Sequence, residues 1–569
     1  MLLNRAKKWR QGALDRQSPG DSSARKIRRV ASIVWPDGPS TAEEVADWPG
    51  DILRRSLGTS DDRVEERMRK FFDGTEIQLT TDYSGMDCPS EALRLVVASL
   101  RRSFPSWEVR DIRLLRSCDC DPVCQRVLKA NQAADGNFGV SCLFEDLLGR
   151  LDDAARAEVR RLEPLPGSAP YHAAKCRQRQ TWYIYSRKQE LFTKASKSQC
   201  VIHGRSCMTL PTPPPLRPGL ALRMHIAGVC CQGWSSVGPR LKHAHKSELP
   251  HAVWTAERYR AAELNLEHLF VQECTAKYHW EEKLSLLKET HELRRLIVGP
   301  EMLGIPCRRP RSFVIGVNRN MMRWEGPQQD DVQRHFESIY RRRMVADGAA
   351  FMNASDEDIA TEMQRLASIQ KHFWPEEMDV SASIKEAVES EEAKNGLLME
   401  VLGAAFRRYE EAEEVRAASQ AGVFFSDTDQ SLGFSVASPL IPCEVRHGTI
   451  VAHHAARVLT PGELMSAHGF HIFEGASGQW GLSPRTSVFA SLTTTERSQL
   501  AGNGMNLPVL AAIVEYAAGH VGTVDACVPE VKLGFGCGAT SFFDAWAVSD
   551  DDKAPDSGPP TWSASSAAA

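Results

Sequence analysis

No run of apolar residues in this 569-residue chain approaches the roughly 18 that a membrane-spanning helix requires, so no membrane contact is expected. The first residues, with Arg5, Lys7, Lys8 and Arg10, also lack the apolar stretch of a secretory signal, although so many basic residues leave an organellar transit peptide open. An excess of one charge is missing too: 69 basic and 73 acidic residues leave a net charge of -4. A nucleic-acid partner must therefore be held by local basic patches rather than by overall charge. The 15 cysteines are not spaced as a disulfide framework; they cluster as Cys118, Cys120 and Cys124 and as Cys230 and Cys231, which fits a reducing compartment. What is present is a chain 42% hydrophobic, long enough for a sizeable core and two or three domains.

An α/β rhythm starts at Ile77. Ile77 to Thr81 reads as a strand, 82–87 as its loop, and Ser90 to Ser103 as a helix with Leu93, Val96, Val97 and Leu100 on one side. A second strand, Ile112 to Cys118, leads into Asp119-Cys120-Asp121-Pro122, and a third, Val140 to Phe144, ends at Glu145-Asp146. Each strand stops at an acidic loop. In an open parallel sheet, ligands sit at the carboxyl ends of the strands, and a carboxylate after the second strand is placed to accept hydrogen bonds from ribose hydroxyls.

Further along, the apolar run Leu222 to Ile226 feeds Ala227-Gly228-Val229-Cys230-Cys231-Gln232-Gly233-Trp234-Ser235, a glycine-bounded turn with thiols at its crest and a plausible seat for a nucleophile. A helix from Leu249 to Leu266 separates it from the strand Leu269 to Gln272, which ends at Glu273-Cys274-Thr275. Next comes Cys307-Arg308-Arg309-Pro310-Arg311 before the strand Ser312 to Val317; with Arg319, Arg323 and Arg341 to Arg343 it is the strongest basic region and a candidate phosphate track. Leu459-Thr460-Pro461-Gly462-Glu463, then His468-Gly469-Phe470, and finally Gln499 to Gly504 running into a helix from Pro508 to Tyr516 complete the series.

Eight such pieces stand in the order found in the cytosine carbon-5 DNA methyltransferases, and most of the chain resembles that family. Tyr83-Ser84-Gly85 resembles part of its first cofactor motif, although the Asp is displaced to Asp82, and Asp87 and Cys88 replace glycines. Asp119-x-Asp121-x-x-Cys124 with Asn131 is similar to the second motif, and Asp146 matches the acidic residue that holds the adenine amino group of S-adenosylmethionine. The resemblance makes Cys231 the nucleophile, with Cys230 where the family has Pro, and Glu273 the residue that holds the base. Arg309 and Arg311 would contact the cytosine carbonyl and a nearby phosphate, and Asn503 belongs to the motif that closes the cofactor pocket.

The implied fold is α/β, a Rossmann-like S-adenosylmethionine-dependent methyltransferase fold with an inserted, largely helical target-recognition region. The implied reaction is methylation of cytosine carbon 5 in double-stranded DNA, the target base leaving the stack. Two alternatives stay open: a tRNA cytosine-5 methyltransferase, and an inactive nucleic-acid-binding relative. A nuclear location follows from the DNA substrate and from Arg25, Lys26, Arg28 and Arg29.

The expected divisions are a basic, partly disordered arm over 1–75, a catalytic domain over 76–320, a recognition region over 321–450, a return to the catalytic domain over 451–525 and a flexible tail over 526–569. The helical stripe Leu397, Leu398, Val401, Leu402, Ala405, Phe406 and Tyr409 lies in the recognition region. Cys200-x-x-His203-x-x-x-Cys207 has metal-like spacing, but a structural zinc site needs a fourth ligand and none is obvious nearby; ordinary thiols and no metal are the expectation.

Overall fold

The computed structural model describes residues 34–134, 141–210, 221–235, 241–369, 423–428, 438–443, 448–455 and 457–524, and those up to Thr523 belong to one compact unit. The stripe from Leu397 to Tyr409 and the tail over 526–569 lie outside the described residues.

Strands β1 (Glu76–Asp82), β2 (Arg113–Cys118) and β3 (Cys142–Phe144) come first. A small hairpin, β4 (Lys197–Gln199) and β5 (Ser206–Met208), precedes β6 (Ala221–Gly228), β7 (Leu269–Thr275), β8 (His291–Val298) and β9 (Arg311–Asn318). Seven of these make one sheet in the order β3-β2-β1-β6-β7-β9-β8. Its neighbours are parallel except β9, which runs antiparallel to both β7 and β8. This is the Rossmann-like α/β fold expected from the sequence. The central strands are buried on both faces, as in a sheet covered on both sides: β6 and β7 are buried almost throughout, the polar Arg223, His225 and Gln272 included.

The chain leaves β1 toward β2 on one side and returns to β6 on the other, so the order reverses between β1 and β6. A crevice opens at such a switch point, outside the carboxyl ends of the strands. Asp82 pairs with Ala227 there, and Gly228 with Glu273 on the next strand. Because β9 is antiparallel, its first residue Arg311 lies opposite Thr275 at the same end of the sheet.

The helices that cover one face are α1 (Trp48–Leu57), α2 (Arg63–Phe72) and α3 (Cys88–Ser103); α4 (Pro122–Ala134), α5 (Pro170–Ser186) and α6 (Glu248–Glu263) follow in the chain. Residues 48–72 thus depart from the disordered arm expected over 1–75. Trp48, Ile52 and Leu53 on α1, and Val64, Met68, Phe71 and Phe72 on α2, recur at helical spacing and are buried in the main core. The charged residues between them had masked an amphipathic pattern.

The span expected to be a recognition region also begins with core. Strand β10 (Met322–Trp324) and α7 (Gln329–Tyr340) pack on the catalytic sheet, α7 along the edge strand β8. There Gln329 accepts from the Arg295 amide at 2.7 Å and donates to its carbonyl at 3.2 Å, while Gln333 does the same for Ile297 at 2.8 and 3.1 Å. Two amide side chains, four residues apart on one helix face, stand in for a missing neighbouring strand.

After α8 (Asp356–Ile369) the described pieces of the insertion include strands β11 (Phe425–Asp427), β12 (Ile450–Ala452) and β13 (Arg457–Val458), an antiparallel trio. The chain then forms α9 (Pro461–Ala467), α10 (Thr494–Asn503), α11 (Leu507–His520) and β14 (Val521–Thr523), which pairs with β10. Thr460 and Glu463 cap α9 reciprocally, as the Thr-Pro-Gly-Glu sequence suggests. All of α11 is buried, against α1, α2 and α3.

Candidate active site

The loop after β1 turns through two left-handed residues, Tyr83 (φ 52°) and Gly85 (φ 56°). A Cβ added to Gly85 would meet nothing within 4 Å, so the backbone there borders open space. The Gly85 amide donates to one carboxylate oxygen of Asp119 at 2.7 Å, and the Asp121 amide donates to the other at 2.9 Å. Asp119 is half-buried; burial raises its pKa, and those amides work against the rise. Each oxygen keeps acceptor capacity, which suits ribose hydroxyls. Asp146 is exposed beyond β3, with one oxygen accepting from the Leu148 amide at 3.0 Å.

Ser84 is turned inward. Its hydroxyl bonds Thr81 at 2.7 Å and the Cys118 carbonyl at 3.1 Å, tying β1 to β2. The Tyr83 ring is half-buried, and its hydroxyl is buried with no protein partner. Burial pushes that phenol well up.

Asp82 faces the interior instead of the crevice. It forms ion pairs with Arg150 and, at 3.5 Å, Arg116, and both arginines also pair with Glu257, at 2.5 and 2.8 Å. Arg258 joins Glu257 at 2.6 Å and pairs with Glu267, so three cations and three carboxylates occupy one buried network. Burial alone would raise Glu257, but the three guanidinium groups hold it down to about 2. Glu267, with fewer partners, is pushed up to about 7 by burial. His225 closes the network, taking hydrogen bonds with Thr80 (2.8 Å) and Trp254 (2.9 Å). Asp82 thus belongs to a buried ion-pair network rather than to the crevice.

Gly228 ends β6, and a Cβ there would lie 2.6 Å from the Met505 methyl, 3.6 Å from a Glu273 carboxylate oxygen and 3.7 Å from the Tyr83 carbonyl. The absent side chain lets four segments meet: the first cofactor loop, the nucleophile strand, the strand of Glu273 and the segment after α10. Cys230 and Cys231 follow, both partly exposed, and the Cys231 carbonyl accepts from the amides of Trp234 (2.9 Å) and Ser235 (2.8 Å) to close the turn. Trp234 anchors the far side: its indole donates to Glu248 at 3.3 Å and lies under Lys283 at 5.3 Å.

Burial raises the Cys231 thiol, and the guanidinium of Arg311 is the main counterweight. Arg311 donates from Nε to Glu273 at 3.1 Å and from a terminal nitrogen to the Cys443 sulfur at 3.6 Å. Cys231, Glu273 and Arg311 are therefore brought together. Arg309 is buried beside them and donates to the carbonyls of Gly502 (3.2 Å) and Gly504 (2.7 Å), holding the last motif against the arginine element. Asn503, between those carbonyls, is exposed at the end of α10.

Three residues near the site carry no local sequence signal. Cys443 reaches Arg311 because Ile441 bridges the arginine element, its amide donating to the Pro306 carbonyl (3.1 Å) and its carbonyl accepting from the Arg308 amide (2.8 Å). Met505 fills the space left by Gly228. Arg485 pairs with Asp87 at 3.1 Å, which explains an Asp at a left-handed position (φ 74°) where glycine is expected. Among the described residues no helix is long and apolar enough to cross a membrane.

No family model matches the sequence, and no curated protein does. Solved structures with some likeness include a methyltransferase of Entamoeba histolytica, EhMeth (TM-score 0.36, 11% identity, 78% of this chain and 98% of that one). A mutant of Spodoptera frugiperda DNMT2 follows at 0.34 and 10%, over 77% and 98%, and Schizosaccharomyces pombe Dnmt2 at 0.35 and 9%, over 78% and 98%. Values this low say nothing of substrate, so what the chain does must be read from its own residues.

Proposed function

We propose that this chain transfers a methyl group from S-adenosylmethionine to carbon 5 of cytosine in DNA, with Cys231 as the nucleophile. The observation that carries this reading is the meeting of Cys231, Glu273 and Arg311 at the ends of β6, β7 and β9, beside the glycine-bordered loop held by Asp119.

The crevice fits the cofactor. Gly85 borders open space, Asp119 offers acceptors for ribose hydroxyls, Asp146 presents an exposed carboxylate for the adenine amino group, and the buried Tyr83 hydroxyl lacks a protein partner. When bound, S-adenosylmethionine supplies an electrophilic methyl on a sulfonium. Carbon 5 of cytosine is too weak a nucleophile to take it unaided, which is why a thiolate is needed at carbon 6.

Glu273, held by Nε of Arg311, grips the flipped base at its ring nitrogen and amino group as electron density builds there. The Cys231 thiolate adds to carbon 6, leaving an enamine-like ring whose carbon 5 is nucleophilic. Arg311 lies where it favours the thiolate over the thiol. After methylation, loss of the carbon-5 proton expels Cys231 and restores the ring. Extruding the base costs a few kcal/mol, roughly, and Arg308, partly exposed just before β9, offers a phosphate contact to offset it. Arg319 and Arg323, expected to extend that track, follow the opposite end of β9, away from the crevice.

The test is trapping on a duplex containing 5-fluorocytosine with S-adenosylmethionine present. Fluorine cannot leave as a proton does, so wild type should remain covalently bound, Cys230→Ser should still trap and Cys231→Ser should not. Adducts on tRNA and none on DNA would move the substrate to the tRNA branch. Cofactor binding without adduct on either would overturn the enzymatic reading.

A further inference from the structure

Cys200, His203 and Cys207 lie on the β4–β5 hairpin and the turn joining its strands. The turn is tight: the Cys200 amide donates to the Arg205 carbonyl at 3.0 Å, the Gly204 amide donates to the Cys200 carbonyl at 3.0 Å, and Gly204 is left-handed at φ 61°. That geometry brings the sulfurs of Cys200 and Cys207 each to 3.4 Å from His203 Nδ1. Three ligands are a common accident of spacing. A fourth comes from far away in the sequence: Cys142, at the start of the sheet-edge strand β3, places its sulfur 3.7 Å from the same nitrogen.

Cys142 is held there by backbone pairing. Phe144 on β3 bridges antiparallel to Cys200, and the Val201 amide donates to the Leu143 carbonyl at 2.7 Å. The hairpin thus docks on the sheet edge independently of any ion. All four ligand atoms lie within 4.8 Å of one another, and the cysteines are free thiols.

We propose that Cys142, Cys200, His203 and Cys207 bind a structural zinc ion that clips the β4–β5 hairpin to the edge of the catalytic sheet. The distances carry this. A tetrahedron with Zn–S near 2.3 Å and Zn–N near 2.0–2.1 Å has S···N edges of about 3.5 Å and S···S edges of about 3.8 Å, and the observed S···N separations are 3.4, 3.4 and 3.7 Å. Three thiolates and one imidazole are a soft set that favours zinc over magnesium or calcium. Four protein ligands leave no position for water or substrate, which marks the role as structural rather than catalytic. The β3 strand that the ion would tether ends two residues before Asp146. Nothing in this site depends on which reaction the chain performs.

The full chain, purified without chelator, should contain one zinc per molecule by elemental analysis. Its zinc-edge absorption spectrum should show three sulfurs near 2.3 Å and one nitrogen near 2.0 Å, roughly. Cys142→Ser should lose affinity by at least the roughly 10–100-fold that follows loss of even an outer-shell partner, whereas Cys176→Ser, on α5, should keep full occupancy. If Cys142→Ser is insoluble, Cys142→His should retain zinc with a shell of two sulfurs and two nitrogens. Wild type that neither carries zinc nor takes it up when zinc alone is added would overturn the proposal. So would a four-sulfur shell, or undiminished binding by Cys142→Ser.

Discussion

At the scale of single residues, Arg311 does the most with the fewest atoms. It orients Glu273 and is the main positive counterweight to the burial of Cys231. Arg311→Lys keeps the charge but loses the planar fork, and a misplaced base of this kind should slow adduct formation by roughly 100-fold in a single-turnover assay. Because burial raises the Cys231 thiol, the adduct rate should climb with pH above neutrality. Arg311→Gln should move the inflection of that profile upward; an unmoved inflection would remove Arg311 from thiolate stabilisation. Asp119→Asn gives up charge-assisted hydrogen bonds of about 1.5–3 kcal/mol, so calorimetry should find S-adenosylmethionine bound roughly 10- to 100-fold more weakly.

Elements have their own weak points. The edge of β8 is covered by Gln329 and Gln333 on α7, and a double change to Ala would leave backbone groups of Arg295 and Ile297 without those partners. Each site should cost about 1–3 kcal/mol, read as a lower urea midpoint. The bared edge should also promote association, visible by light scattering. Arg150→Met would leave Asp82 and Glu257 short of a partner inside the buried network, a loss of about 3–5 kcal/mol. That network was only partly legible in the sequence. Asp82 was visible as a misplaced motif residue, but its partners Arg150 and Arg116 come from separate elements, and nothing local marks them. The same holds for Cys142, which stands 58 residues before Cys200, and for Cys443 beside Arg311.

Across the whole molecule, the strands of the sheet and the crevice-facing loops could be read from alternation, turns and acidic strand ends, because a buried parallel strand followed by a polar loop is a local pattern. Strand Leu269–Thr275 even runs through Glu273. The helices over 48–72 were hidden by their charge, and α7 by its place in what read as an insertion. Global stability should depend on pH through Glu515, fully buried on α11 with Ser56 as its hydrogen-bond partner at 2.6 Å. Burial raises its pKa from an ordinary 4.5 to about 8. The folded state then keeps a proton that the unfolded chain releases, so stability should fall as pH rises from about 4.5 to about 8. Asp87, raised to about 6, and Glu267, raised to about 7, act in the same direction. Glu257 and Glu248, both held down to about 2, act oppositely and lose their contribution as pH falls below 4.5 toward that value. Glu515→Gln should flatten the upper limb of a plot of melting temperature against pH; an unchanged slope would show that Glu515 does not govern it.

The packing of α11 on α1 and α2 has a consequence for synthesis. Helices α1 and α2 leave the ribosome long before Leu507–His520, the helix that both pack against, emerges. At roughly 5–20 residues per second, the stretch from Leu57 to Leu507 takes roughly 20–90 seconds to make. During that interval Trp48, Ile52, Leu53, Met68 and Phe72 lack the surface they are shaped to meet, and the nascent chain is a natural client for chaperones. A ribosome stalled before Leu507 should carry a chain that proteases cut between residues 48 and 72, and one stalled well beyond Thr523 should not.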